Sequence, residues 1–290
     1  MTNLQLADGR TLQYVVAGPA GGTPLVFHGG TPSAALLFEP VVAAAARHGL
    51  QTVTYSRAGY AGSSPRPGRI VADVVSDVTA LLDALSLDRF LTVGWSGGGP
   101  HALACAALLP GRCLAAATIA GVAPRSAEGL DWLGGMGAEN VEEFGAALAG
   151  EEPLTEFLNA AAPAVAEVRA DQVAASLGDL ASDVDREALT DEFAEYMAAL
   201  FRAAVSAGIA GWRDDDLAFV RDWGFDVGAI ETPVAIWQGT EDRMVPFAHG
   251  RWLASRLPGA SVHLLPAEGH LSLVLTAFDD IVTELTTHLP

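Results

Sequence analysis

Only two cysteines, Cys105 and Cys113, occur in the 290-residue chain. That is too few for a disulfide framework, and their spacing is not that of a metal site. One falls on an expected helix face and the other at the start of an expected strand, so both are read as free buried thiols. Basic residues are also scarce, with 16 Lys and Arg against 35 Asp and Glu and a formal net charge of −19. A chain so acidic lacks the cationic clusters that nucleic acid or an anionic membrane surface demands. No uninterrupted apolar run reaches the roughly 18 residues needed to cross a bilayer. The start, Met1 to Gly9, lacks the basic and apolar blocks of a signal peptide, so a soluble cytoplasmic protein without stable membrane association is expected.

What is present is a large apolar fraction, 50% of residues, enough to build one large α/β domain or two ordinary ones. Of the 35 acids, 22 fall between Arg125 and Asp226, together with only 6 of the 16 basic residues. The expected reading is a solvated helical surface that also disfavours anionic substrates.

The chain opens as a hairpin, Leu4 to Leu6 and Thr11 to Val16, turned by Asp8-Gly9. Apolar strands follow at Pro24 to Phe27, Leu50 to Tyr55, Phe90 to Trp95 and Leu114 to Ile119. Between them the spacing predicts helices over 33–48, 71–85 and 100–109. This alternation is that of a mostly parallel sheet with helices on both faces. From Arg125 to Asp226 only helical patterns appear, including Val141 to Leu148, Pro153 to Asn159 and Arg186 to Val205. The α/β rhythm resumes with the strand 233–237, a helix over 246–257, the strand Ser261 to Leu265 and a last helix over 271–288.

Gly94-Trp95-Ser96-Gly97-Gly98 joins a strand to a helix and has the form of a nucleophile elbow, with small flanking residues that let the two elements approach. A serine hydroxyl needs a base and the base needs an orienting carboxylate. Asp242 stands in the loop after one late strand and His270 in the loop after the next, so a parallel sheet gathers Ser96, Asp242 and His270 at one edge. Glu241 competes with Asp242 for the acid. His28, His48, His101, His249, His263 and His288 are each less well placed than His270. His28 is read as a brace of its loop, His101 as a satisfied buried histidine, and Arg57 as a loop brace.

Five motifs in register carry a resemblance: His28-Gly29-Gly30, Ser56 to Ser63, Gly94 to Gly98, Gly239-Thr240-Glu241-Asp242 and Gly269-His270. With these the chain resembles the α/β-hydrolase superfamily, in particular its capped serine hydrolases. The resemblance implies an α/β core over 1–124 and 227–290 with an inserted helical cap over 125–226. It maps the oxyanion hole onto the backbone N–H of Gly97 and one in the loop after His28, either Gly30 or Thr31. It implies hydrolysis of a small to medium, largely apolar carboxylic ester through an acyl-enzyme, with Ser96, His270 and Asp242 as triad and neither cofactor nor metal. Relatives that open epoxides or remove halide use a carboxylate at the elbow, so serine argues against both. A carbon–carbon bond hydrolase of a ring-cleavage product and a non-catalytic ligand-binding member are the alternatives. Trp95, Trp132 and Phe144 are expected to line the substrate pocket, along with some of Phe157, Tyr196, Phe201 and Trp212.

Overall fold

The computed structural model describes residues 1–257 and 259–290. Eight strands, β1 (Thr2–Gln5), β2 (Thr11–Ala17), β3 (Thr23–His28), β4 (Leu50–Tyr55), β5 (Phe90–Trp95), β6 (Cys113–Ile119), β7 (Val234–Gly239) and β8 (Ser261–Leu265), form one sheet. Their order is β1-β2-β4-β3-β5-β6-β7-β8. The β1–β2 and β2–β4 pairings are antiparallel and the rest are parallel. This is an α/β-hydrolase fold with a mostly parallel sheet.

Alternation along the central strands splits the core between the two faces of the sheet. Leu25, Phe27, Leu91, Val93, Ala117, Ala235 and Trp237 face one side, where they pack with α1 (Glu39–Arg47). Val26, Val53, Phe90, Ala116, Val234 and Ile236 face the other, against α2 (Val74–Ala84) and α3 (Gly99–Leu108). Helix α3 buries nearly its whole circumference, Gly99 through Ala106.

The helix expected over 33–48 begins only at Glu39. Pro40 explains the difference, because it has no N–H to give to a carbonyl four residues earlier and is tolerated in a first turn but not in a helix interior. The preceding residues form an irregular segment that buries Ala34, Ala35 and Phe38.

Between β6 and β7 the described residues contain helices and no strand. They are α4 (Ala138–Ala149), α5 (Glu151–Glu167), α6 (Ala170–Ser176), α7 (Asp183–Ala188), α8 (Asp191–Ala204) and α9 (Ala210–Val220). The single helix expected over 186–205 is split into α7 and α8, because Thr190-Asp191-Glu192 is a helix start: extended backbone at Thr190 and acids in the first turn. Leu154, Leu158, Ala204, Trp212 and Leu217 give these helices a small core of their own, joined by Tyr60 of the α/β part. The chain ends with α10 (Phe247–Arg256) and α11 (Ser272–Thr286), the latter packed on the same sheet face as α1. Among the described residues no helix is long and apolar enough to cross a membrane.

Candidate active site

The carboxyl ends of β3, β5, β7 and β8 open toward the inserted helices, and the loops that follow them carry the side chains singled out above. At the end of β5, Ser96 adopts φ of 56°, the left-handed region. That conformation costs a non-glycine residue about 1–2 kcal/mol and turns the chain sharply from strand into helix. The glycines on either side are required by contact: a Cβ on Gly94 would overlap the Gly98 carbonyl, and one on Gly98 would overlap the His28 carbonyl.

Asp242 follows β7 and His270 follows β8. His270 Nδ1 donates to Asp242 Oδ2 at 2.9 Å, and both side chains are buried. Asp242 is itself fixed, since Oδ1 accepts from the N–H groups of Met244 (2.9 Å) and Val245 (2.8 Å) and Oδ2 accepts from Gln238 Nε2 (3.0 Å). Glu241, the alternative acid, is exposed. Burial by itself lowers the His270 pKa, but the charge and hydrogen bond of Asp242, with Asp185 beyond, raise it above the ordinary 6.5. Ser96 and His270 border one cavity, although no hydrogen bond among the described residues ends on Ser96 Oγ.

The imidazole loop is held from the inserted helices. Asp185 on α7 is fully buried and accepts from the N–H groups of His270 (3.1 Å), Leu271 (2.7 Å) and Ser272 (3.0 Å), which caps the start of α11. From the opposite side Trp95 Nε1 donates to the His270 carbonyl at 3.2 Å.

The loop after β3 is held by a buried ionic cluster. Arg57 donates to the carbonyls of Gly29 (2.6 Å) and Gly30 (2.5 Å), to Thr31 Oγ1 (3.0 Å) and to Asp215 Oδ2 (2.6 Å). Asp215, on α9, also accepts from Thr31 Oγ1 at 2.9 Å and from Tyr60 OH at 2.8 Å, and pairs with Arg69 at 2.7 Å. Burial would raise the Asp215 carboxyl, but Arg57, Arg69 and His101 outweigh it and hold the group well below the usual carboxylate range. Arg57 is thus a loop brace, as its position in the sequence implies. The Cα of Gly30 lies against Ser96: a Cβ built there would stand 3.8 Å from Ser96 Oγ.

Three of the other histidines, His28, His101 and His249, are buried. His28 Nδ1 meets Tyr55 OH at 2.9 Å beneath the loop. His249 accepts from the Ala123 N–H and donates to the Trp132 carbonyl, and burial lowers its pKa to about 4. His101 differs from expectation: neither ring nitrogen has a hydrogen bond, and its Nε2 stands 3.6 Å from Asp215. Cys105 and Cys113 are free and buried.

The cavity beside Ser96 has a volume of about 260 Å³ and a mostly apolar wall. Trp95 and Phe144 border it, as do Phe201, Trp212 and Phe219. Trp132 does not. Its indole N–H is tied to the Ala123 carbonyl at 2.7 Å and its ring packs edge-on against Phe144, so it buttresses the wall from behind. Phe157 packs within the inserted helices, and Tyr196 packs on Phe38 and Phe193.

Sequence reasoning missed the buried acids. Glu143, Asp185, Asp214, Asp215 and Asp216 all lie in the segment read as a solvated surface, yet all are buried. The available signal was Trp212-Arg213-Asp214-Asp215-Asp216-Leu217, a run of acids between apolar residues where one face of a helix must turn inward. Glu143 accepts from Trp212 Nε1 at 2.7 Å. Its carboxyl and that of Asp216 are within hydrogen-bonding reach, and burial followed by their mutual interaction pushes the pair as a whole above the usual carboxylate range.

A strand-to-helix serine turn, a carboxylate–imidazole pair and an inserted set of helices on this sheet define a family. A family model described as the alpha/beta hydrolase fold matches residues 23–276, and the chain belongs to that family. It is 27% identical over 252 residues to a non-heme chloroperoxidase of Streptomyces lividans, covering 86% of this chain and 84% of that one. It is 28% identical to a pimeloyl-[acyl-carrier protein] methyl ester esterase of Chromobacterium violaceum, covering 79% and 80%. Among solved structures, a bromoperoxidase from Bacillus anthracis superimposes with a TM-score of 0.71 at 22% identity over 99% of each chain. An enol-lactonase from Burkholderia xenovorans does so with a TM-score of 0.69 at 21% identity, over 99% of this chain and 100% of that one.

Proposed function

We propose that the protein is a serine hydrolase that cleaves a small to medium carboxylic ester through an acyl-enzyme. The observation that carries this reading is the buried Asp242–His270 pair bordering the same cavity as a serine held in the left-handed region. His270 takes the Ser96 proton as Oγ attacks the ester carbonyl. Asp242 keeps the imidazole proton on Nδ1 and stabilises the imidazolium. The N–H groups of Gly97 and Gly30 receive the tetrahedral oxyanion, where losing a donor costs about 2.7–4 kcal/mol in comparable enzymes. His270 then returns its proton to the departing alcohol, and water repeats the sequence on the acyl-enzyme. The serine–imidazole hydrogen bond commonly tightens only in the substrate complex.

Residues 125–226 act as a cap that shields this chemistry from water. A wall containing Trp95, Phe144, Phe201 and Phe219 favours an apolar acyl or alkyl part near the reacting carbonyl. The methyl ester esterase and enol-lactonase among the similar proteins are in keeping with ester chemistry. Turnover of a p-nitrophenyl ester series from acetate to decanoate tests the reading. The expectation is a rate above background that Ser96→Ala abolishes; a rate unaffected by that substitution refutes it.

A further inference from the structure

Glu143 and Asp216 are buried carboxyls in the cavity wall that take no part in the proton relay. Helix geometry places them there. On α9, Trp212, Asp216 and Phe219 stand at i, i+4 and i+7 and all border the cavity, while α4 contributes Glu139, Asn140, Glu143 and Phe144. Asp215, next to Asp216, points away into Arg57 and Arg69. Phe219 lies against Gly97, so Asp216 sits about one helical turn, roughly 5 Å along α9, from the oxyanion side of the cavity.

Neither Asp216 oxygen receives a hydrogen bond from a donor among the described residues. The polar group within its reach is the Glu143 carboxyl, whose own donor is the Trp212 indole. Two carboxyls this close cannot both ionise readily, so burial and mutual repulsion hold the pair as a whole above the usual carboxylate range. Its charged surroundings are Glu139 on α4, Asp215 on α9 and Arg69 behind α9. Among the described residues the cavity wall contains three acids, Glu139, Glu143 and Asp216, and neither Arg nor Lys. A buried negative charge without a facing cation is costly, and a ligand that brings the cation relieves that cost.

We propose that Glu143 and Asp216 form a specificity subsite for a protonated amine on the ester substrate, set into an otherwise apolar cavity. The substrate class is then an aminoacyl or aminoalkyl ester whose ammonium lies a short aliphatic chain from the scissile carbonyl. This rests on the hydrolase reading, and two measurements separate the two.

The first compares p-nitrophenyl 6-aminohexanoate with its near-isosteres, p-nitrophenyl heptanoate and 6-hydroxyhexanoate, at pH 7.5. We expect kcat/KM for the amino ester to exceed that for the heptanoate at least tenfold, and Glu143→Gln and Asp216→Asn each to reduce that ratio at least tenfold. The second titrates n-hexylammonium and 1-hexanol into Ser96→Ala protein by calorimetry. The ammonium is expected to bind at least tenfold more tightly, with the preference lost when either acid is also replaced. Ammonium preference in binding without turnover of any ester refutes the hydrolase reading and upholds the subsite. Ester turnover with no ammonium preference in either measurement refutes the subsite and leaves the hydrolase standing. Equal rates for the amino and hydroxy esters also overturn it, since charge would then not be recognised. Should one acid variant fail to fold, as judged by circular dichroism, the other decides.

Discussion

Replacing Arg57 by Met removes the brace of the loop after β3 while keeping a long side chain. The guanidinium is only 4% exposed and its partner Asp215 is fully buried. Removing one member of a buried ion pair costs about 3–5 kcal/mol, because the other charge is left uncompensated. Asp215 would keep Arg69, Tyr60 and Thr31, which places the loss at the lower end, about 3 kcal/mol. At about 2–4 °C per kcal/mol for chains of this size, Tm falls by roughly 6–12 °C. The carbonyls of Gly29 and Gly30 lose their donors in the same substitution, so the loop proposed to receive the oxyanion loosens. We expect kcat on a p-nitrophenyl ester to fall at least about tenfold, toward the 10²–10³ seen when an oxyanion donor is removed outright. Arg57→Lys restores charge without the planar fork and should give an intermediate Tm and kcat. Thermal denaturation by circular dichroism and steady-state kinetics on the three proteins provide the test. A Met variant that melts within about 2 °C of the parent and turns over at the parental rate would refute the bracing role.

Three further outcomes follow from the same geometry. On the proposed mechanism hydrolysis needs neutral His270, whose pKa is raised above 6.5 mainly by Asp242 acting against burial; the acid limb of kcat/KM is therefore expected above pH 6.5, and in Asp242→Asn any residual activity should show that limb at lower pH. Asp185→Ala leaves three backbone N–H groups at the start of α11 without their acceptor, which should cost about 2–4 kcal/mol in urea denaturation and lower kcat by releasing the imidazole loop. Asp216 has a folded pKa raised by burial, so its contribution to stability is fully present below its unfolded value near 3.8 and is lost as pH rises toward the folded one. The stability advantage of Asp216→Asn over the parent, measured by urea denaturation, should accordingly grow with pH above 4, at no more than about 1.4 kcal/mol per pH unit.

The parts of the fold and site that local pattern encodes were legible in the sequence. The elbow glycines, the strand ends before Asp242 and His270, and the α/β alternation each depend on neighbours a few residues away. Arg57 as a brace was readable from its loop, although its partner on α9 was not. Most acids of residues 125–226 are exposed, as the pattern implied, but Glu143, Asp185, Asp214, Asp215 and Asp216 were misread because burial is a tertiary property: Asp215 is turned inward by Arg57 and Arg69, more than a hundred residues earlier in the chain. Trp132 was misplaced for the same reason, since whether an aromatic ring faces a cavity or stands behind it depends on partners such as Ala123 and Phe144. Pro40 and Thr190 are different cases. Both are local signals that delimit a helix, and apolar periodicity alone ran through them.

On the proposed mechanism the Ser96 hydroxyl is a nucleophile activated by His270. Treating the folded protein with a fluorophosphonate and measuring its intact mass tests this directly. A single adduct is expected, mapped to the peptide carrying Ser96, absent in Ser96→Ala, strongly slowed in His270→Ala and retained in Cys105→Ala. Full labelling of Ser96→Ala, or no labelling of the unaltered protein while a known serine hydrolase reacts in the same mixture, would contradict it.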